Sequence, residues 1–252
     1  MKKSLCLLLF SSLLFAEQSK FEYGIGIATL GYPVYIGSKT IQSVVAPYPY
    51  IYYVNGNFSI DRKGIKQKLF DVDGLSINVN GNCMLPLKSK GLRTGMKGFD
   101  LAIEVGPSLE YEMYNCDGWT VKLEIPTSAV LAADFTGIEY QGVVCDPKLS
   151  SKYCKNGYTV ELESGPVFAD AKYHDYYYGV NNSEVTATRP RYDGTSGYGG
   201  LKTSVALTRR IGHYWVGSFI KYYSLNGASF TDSPVVETNH AFYSGIAMAY
   251  IF

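Results

Sequence analysis

The residues from Asp100 to Met113 alternate without a break between two kinds of side chain, and this run constrains the chain more than any other feature. Leu101, Ile103, Val105, Pro107, Leu109, Tyr111 and Met113 hold the odd positions, against Asp100, Ala102, Glu104, Gly106, Ser108, Glu110 and Glu112. A period of two marks a strand with one apolar and one polar face. The run is longer than the ~5–6 residues of an average soluble strand. It covers the ~9–11 residues that a tilted strand needs to cross a bilayer. The pattern returns in Trp119, Val121, Leu123 and Ile125 against Thr120, Lys122, Glu124 and Pro126. It returns again in Leu75, Ile77, Val79, Gly81, Cys83 and Leu85 against Ser76, Asn78, Asn80, Asn82 and Met84. With 23 Tyr, 26 Gly and no helical block, the composition is that of an all-β chain.

These segments predict a transmembrane antiparallel up-and-down β-barrel with about 12 strands. They lie near 21–30, 44–54, 57–62, 65–71, 74–85, 100–114, 118–132, 136–145, 157–171, 200–210, 213–225 and 241–252. The third and fourth are short and weakly patterned, which leaves a 10-strand barrel open. An even count places both termini in the periplasm. The connections at 31–43, 86–99, 172–199 and 226–240 then fall outside the cell. Val72–Gly74, Asn115–Gly118 and Ile211–His213 become short periplasmic turns with suitable residues. The segment 146–156 is the exception, a long turn on the periplasmic side.

Both ends fit an exported barrel. Lys2 and Lys3 precede an apolar stretch from Leu5 to Phe15, then Ala16 and the polar Glu17. That order is the pattern of a secretory signal, so 1–16 is expected to be removed and 17–252 to form one barrel domain. The stretch is far short of the ~20 residues of a spanning helix. Without Lys2 and Lys3 the chain carries 21 basic against 22 acidic residues, and no basic excess points to nucleic acid. At the other end Ile246, Met248, Tyr250 and Phe252 share one face, opposite Gly245, Ala247, Ala249 and Ile251. This resembles the C-terminal strand that outer-membrane barrels present to the barrel assembly machinery. The expected destination is the outer membrane, in contact with its lipid and lipopolysaccharide.

Charges on the polar faces are directed inward, because each would cost ~2–4 kcal/mol against lipid at the midplane. Glu104, Glu110, Glu112, Lys122, Glu124, Glu161 and Glu163 are therefore expected to line the lumen, with Lys66, Lys68, Lys202 and Lys221. They either pair into a network that fills the barrel or line a narrow watery channel. Cys145 and Cys154 bracket the long turn, and a disulfide between them is expected in an oxidising compartment. Cys83 reads as a small hydrophobe and Cys116 as a turn thiol. No cysteine–histidine spacing suits zinc. His174, His213 and His240 are isolated, and no Gly-x-Ser-x-Gly motif accompanies them. No catalytic residue, metal or cofactor is expected, and the Gly197–Gly200 stretch reads as a flexible loop.

A set of ordered motifs resembles the MipA/OmpV family of outer-membrane proteins. It comprises Pro33-x-Tyr35-x-Gly37-Ser38, Pro47–Tyr50, Tyr176–Val180, Arg189-Pro-x-Tyr192, Tyr223-x-Leu225-x-Gly227, Asp232–Val236 and the terminal strand. The family often has Gly-Asp-Ala where this chain has Gly227-Ala228-Ser229. The resemblance implies a barrel without known enzymatic activity. It also implies a scaffold that joins a lytic transglycosylase to a penicillin-binding protein in murein synthesis. A small-solute channel is the alternative, suggested by the charged lumen. A lipid-modifying enzyme using His174 and adhesion through the 172–199 loop are further readings.

Overall fold

A computed structural model describes residues 19–134 and 137–252. The expected signal segment 1–16 lies outside the described residues. The strands are β1 (Lys20–Pro33), β2 (Ile41–Asn55), β3 (Phe58–Asp61), β4 (Gly64–Val72), β5 (Leu75–Met84), β6 (Leu101–Cys116) and β7 (Trp119–Asp134). They continue with β8 (Gly137–Cys145), β9 (Lys148–Lys155), β10 (Tyr158–Ala169), β11 (Gly197–Ile211), β12 (Tyr214–Ser224) and β13 (His240–Ile251). Among the described residues one α-helix, α1 (Ala171–Tyr178), follows β10. Apart from β8 and β9, each strand pairs with its sequence neighbours; β8 and β9 each pair with β7 and β10, and β1 pairs with β13, so the sheet closes on itself.

Thirteen segments fill twelve wall positions. The reason is that β8 and β9 are two halves of one strand. β8 pairs with the upper part of β7 from Asp134↔Gly137 to Thr127↔Cys145, and β9 with the lower part from Glu124↔Lys148 to Trp119↔Tyr153. Asp146 and Pro147 form a kink between them, and Asp146 N–H still reaches Pro126 O at 3.0 Å. The kink presses against β10 at Gly165, where an added Cβ would stand 1.9 Å from Pro147 O. The expectation of a long turn at 146–156 is corrected: this segment is barrel wall, and the real turn is Asn156-Gly157.

With that correction every turn at the end holding the termini has two residues. Asp73-Gly74, Asp117-Gly118 and Asn156-Gly157 all have positive φ at both positions (50° and 81°, 49° and 82°, 50° and 77°). This is the type I′ geometry whose twist matches paired strands and which favours Asn-Gly and Asp-Gly. The long connections gather at the opposite end.

The two faces differ as the alternation requires. Ile25 and Ile246 are each 63% exposed on the outer face. Leaving such side chains in water forfeits roughly 1.5–3 kcal/mol apiece; a hydrocarbon surround removes that cost. Ala249, Ile251, Ala102 and Ser108 face inward and are buried.

Candidate functional site

The inner wall carries the expected charges, and apart from Glu104 and Lys221 they are paired. Lys66 Nζ meets Glu110 at 2.5 Å, and the Glu110 residue is 3% exposed. Lys122 lies 3.7 Å from Glu112, which also accepts from Asn115 Nδ2 at 2.9 Å. Glu124 accepts from Ser150 Oγ at 2.5 Å and faces Lys148 at 3.7 Å. Glu161 is the centre of the largest group, with Arg62 bonded to it, Lys63 at 3.5 Å and Lys152 at 3.9 Å. Glu163 takes Lys63 Nζ at 2.6 Å, and Lys202 binds Asp146. Glu104 lines the same cavity beneath α1. Lys68 pairs locally with Asp71 at 2.5 Å.

Arg62 and Lys63 are the residues that reading along the chain passed over. They form the tip of the β3–β4 hairpin, and their partners Glu161 and Glu163 stand on β10. Asp146, Lys148 and Lys152 were also missed, because the segment read as a turn. The alternation of Lys148, Ser150 and Lys152 with Leu149, Ser151 and Tyr153 was the available signal.

The expected Cys145–Cys154 disulfide is corrected too. All four described cysteines are free thiols. Cys145 pairs with Thr127 of β7, and Cys154 N–H bonds Gly118 O at 2.8 Å. Nine residues of strand separate those partners, roughly 30 Å at ~3.3 Å per residue. A disulfide requires Cα atoms within about 7 Å. Cys83 and Cys116 are both exposed.

The end of the barrel with the long connections is closed by a plug. Val34, Tyr35, Met96, Phe99, Tyr178, Val180, Leu225, Phe230 and Val235 pack into one buried cluster drawn from four connections. Tyr178 stacks on Phe230 with centroids 3.7 Å apart and planes 6° apart. Helix α1 enters the mouth, capped by Asp170, whose Oδ1 accepts from Tyr173 N at 2.8 Å. Polar ties bind the loops together. Tyr35 OH donates to Val235 O at 2.8 Å and Ser233 Oγ to Tyr178 O at 2.6 Å. Arg189 reaches Leu92 O at 2.6 Å and Glu184 O at 2.8 Å, and Arg93 reaches Tyr177 O at 2.8 Å. Motifs far apart in sequence therefore meet in the plug: Tyr35, Tyr178, Arg189, Tyr192 and Ser233 all take part. Burial pushes the Tyr35 hydroxyl up to about 12 and holds Arg93 below its ordinary value. Below the plug lies a cavity of about 1000 Å³.

His174 sits inside the plug, fully buried. Its Nδ1 lies 2.6 Å from Thr195 O and 3.1 Å from Ser229 Oγ. A carbonyl accepts only, so Nδ1 carries the proton and has no lone pair with which to activate Ser229. Burial also lowers the His174 pKa. His213 Nδ1 lies 2.9 Å from Ile251 O and His240 Nδ1 2.7 Å from Tyr222 OH. Among the described residues no group of three His, Cys, Asp or Glu side chains converges as a metal site.

A closed antiparallel ladder, an apolar outer belt and inward charges define an outer-membrane β-barrel protein. The model of the family described as MltA-interacting protein MipA matches residues 25–252, and the chain belongs to that family. Among solved structures, the NanC porin is similar with a TM-score of 0.41 at 7% identity, covering 91% of this chain and 98% of that one. OmpT, an outer membrane protein of Vibrio cholerae, gives 0.40 at 7% identity over 94% and 100%. Salmonella typhi OmpF gives 0.39 at 9% identity over 93% and 97%. Comparison with curated protein sequences finds no match.

Proposed function

We propose that this chain is a non-enzymatic scaffold of the outer membrane that docks a lytic transglycosylase, together with a penicillin-binding protein, at the periplasmic end of the barrel. The observation that carries the reading is membership of a family described by its interaction with MltA. The plug supports it, because a barrel closed at one mouth by a buried aromatic cluster is built to stay shut. In this reading residues 1–16 direct export, both termini lie in the periplasm, and Ile246, Met248, Tyr250 and Phe252 serve the assembly machinery. The docking surface is the rim of two-residue turns, since 146–156 belongs to the wall. The purified barrel in detergent and the lytic transglycosylase of the same organism provide the test. Binding that weakens on charge reversal of Lys155 and Arg209, two exposed rim residues, is the expected result. No measurable binding between the pure proteins overturns the reading. The channel reading rests on the charged cavity of about 1000 Å³, and it requires the plug to open.

A further inference from the structure

The barrel wall is not of even height. β2 runs for 15 residues, but β3 has only 4 and covers β2 at Tyr53, Val54 and Asn55 alone. On the far side of the hairpin, β4 meets β5 no higher than Ile65↔Gly81. Above Arg62 and Lys63, β2 and β5 do not pair. The result is a window in the wall. Its sill is the β3–β4 turn and its sides are β2 and the β5 end with Leu85. Its lintel is the 85–100 connection, where Lys90 Nζ bonds Gln42 Oε1 at 2.5 Å. Leu85 is 76% exposed and at the same time lines the inner cavity, so the two spaces join there.

Register places the window in the apolar belt. Pro47 stands opposite Ile27, which stands opposite Met248; Pro49 likewise leads to Ile25 and Tyr250. Those four neighbours are exposed apolar side chains of the outer face. An open sheet edge at hydrocarbon depth is tolerated only where it lines a water-filled cavity, since each unmet backbone group costs several kcal/mol. The sequence of β2 lowers that cost. Asn55 and Phe58 close a two-residue turn and face each other in the ladder. Hydrogen-bonding direction alternates along a strand, so Tyr53, Ile51, Pro49 and Pro47 all turn their nitrogens toward the missing partner. Proline has no N–H to leave unmet and is confined to edges in sheets. A Pro-x-Pro pair pointing into the gap blocks the edge from recruiting another strand and keeps the window open.

Behind the window the chamber is aromatic. Trp215 packs its ring over Gly217, where an added Cβ would stand 2.3 Å from it, and stacks on Tyr48, 5.6 Å away, at the window's edge. Higher up, under the plug, Lys221 lines the same chamber beside Phe219, Tyr223 and Tyr243. Its ammonium makes no hydrogen bond or ion pair among the described residues, whereas the other inward lysines are paired. Its ladder row, Lys221–Tyr243, leads through the Tyr243–Tyr32 ring contact to Tyr32 and on to Gln42 at the lintel.

We propose that the window is a lateral portal through which a single-chain amphiphile with a carboxylate head enters the barrel from the membrane. The acyl chain lies among Tyr48, Trp215 and Phe219, and the head rests on Lys221. A cavity of about 1000 Å³ is at the upper end of what small-ligand sites offer, and its opening to lipid favours an occupant that is already dissolved there.

Trp119 and Trp215 are the two tryptophans, so Trp119→Phe leaves Trp215 as the single reporter of the chamber. The full chain is folded into phosphatidylcholine vesicles and titrated with dibromostearic acid, a short-range quencher. Dibrominated phosphatidylcholine, too large for the portal, is the control. A second reporter, Ile220→Trp in a Trp119→Phe, Trp215→Phe background, faces lipid and confirms that both quenchers reach the barrel. The expected result is a saturable loss of Trp215 emission with the fatty acid and none with the phospholipid. Saturation should need more fatty acid in Lys221→Gln and in Leu85→Asp. Trp215 left bright while the Ile220→Trp reporter dims overturns the portal. Equal quenching by both lipids also overturns it, since the reporter then senses the belt through the wall. A Lys221→Gln titration identical to the parent overturns the placement of the head.

Discussion

Phe230→Ala tests whether the plug is a cooperative lid or a loose cover. Phe230 is 2% exposed, stacks on Tyr178 at 3.7 Å and meets the His174 ring edge-on at 4.9 Å. Truncating a buried Phe to Ala removes about 3–5 kcal/mol, cavity included. The lost aromatic pairing accounts for roughly 0.5–1.5 kcal/mol of such changes. The ring partners of Phe230, Tyr178 and His174, stand on α1 and not in a strand ladder, so the loss falls chiefly on closing of the loops. At 1.4 kcal/mol per tenfold, the lower figure raises the open fraction about a hundredfold. The direct assay is hydrogen–deuterium exchange of the amides at 171–180 and 225–236 in lipid, with the strands as internal reference. Planar-bilayer recording adds the functional readout: the parent should stay closed and the variant should show discrete conducting events. Protection that changes by less than a factor of about five, near 1 kcal/mol, would refute the claim that Phe230 organises the lid. Strand protection falling in parallel would refute the separation of lid from wall.

Glu110→Gln removes the partner of Lys66 at a buried carboxylate. Because the lysine tip borders a wet lumen, the cost should be about 1–3 kcal/mol, below the ~3–5 of a fully buried pair; an unchanged urea midpoint would count against the network. Cysteine chemistry is decided by mass: maleimide should modify Cys145 and Cys154 in the unfolded protein without prior reduction, and a loss of two hydrogens from that pair would contradict the strand assignment of 146–156. Acid should loosen the lid. Burial depresses the His174 pKa, so its neutral form stabilises the plug fully above the unfolded value of about 6.5. That stability falls as pH drops from there toward the lowered folded value. Exchange at 171–180, corrected for its intrinsic pH dependence, should quicken between neutral and mildly acidic pH, and His174→Gln should abolish the trend.

Most of the wall was legible because a barrel strand must alternate to satisfy lipid and lumen at once. Strands such as β6 and β7 announce themselves residue by residue, and their ends fall within two residues of expectation. The strand formed by β8 and β9 was lost at Asp146-Pro147, where a proline breaks the pattern although the ladder resumes one residue later. Helix α1 was missed for a different reason. Tyr173, Tyr176, Tyr177 and Tyr178 favour strands locally, and it is the contacts of the plug that make them helical. The pairings of Arg62 and Lys63 with β10 were invisible, because nothing in a one-dimensional pattern says which charges face each other across a lumen. The plug is the extreme case, assembled from four connections that share no local signal.

The two ends of the barrel bear different structural demands, which bears on where a partner can bind. At the terminus-bearing end, turns of two residues leave almost nothing projecting, so a soluble enzyme docking there meets a flat ring of hairpins. A flat rim offers little area, and stable complexes bury about 1,200–2,000 Å² in total. Under the proposed docking, a partner would grip the outer faces of several turns or send a segment of its own toward the lumen, where Glu112, Lys122 and Lys152 stand. The other end spends its long connections on sealing the mouth, and most of the motifs by which the chain resembles the family lie there. Tyr35, Arg189 and Ser233 each serve the plug by binding a backbone carbonyl on a different connection. Their convergence ties the four connections to one another, so the mouth closes as a unit.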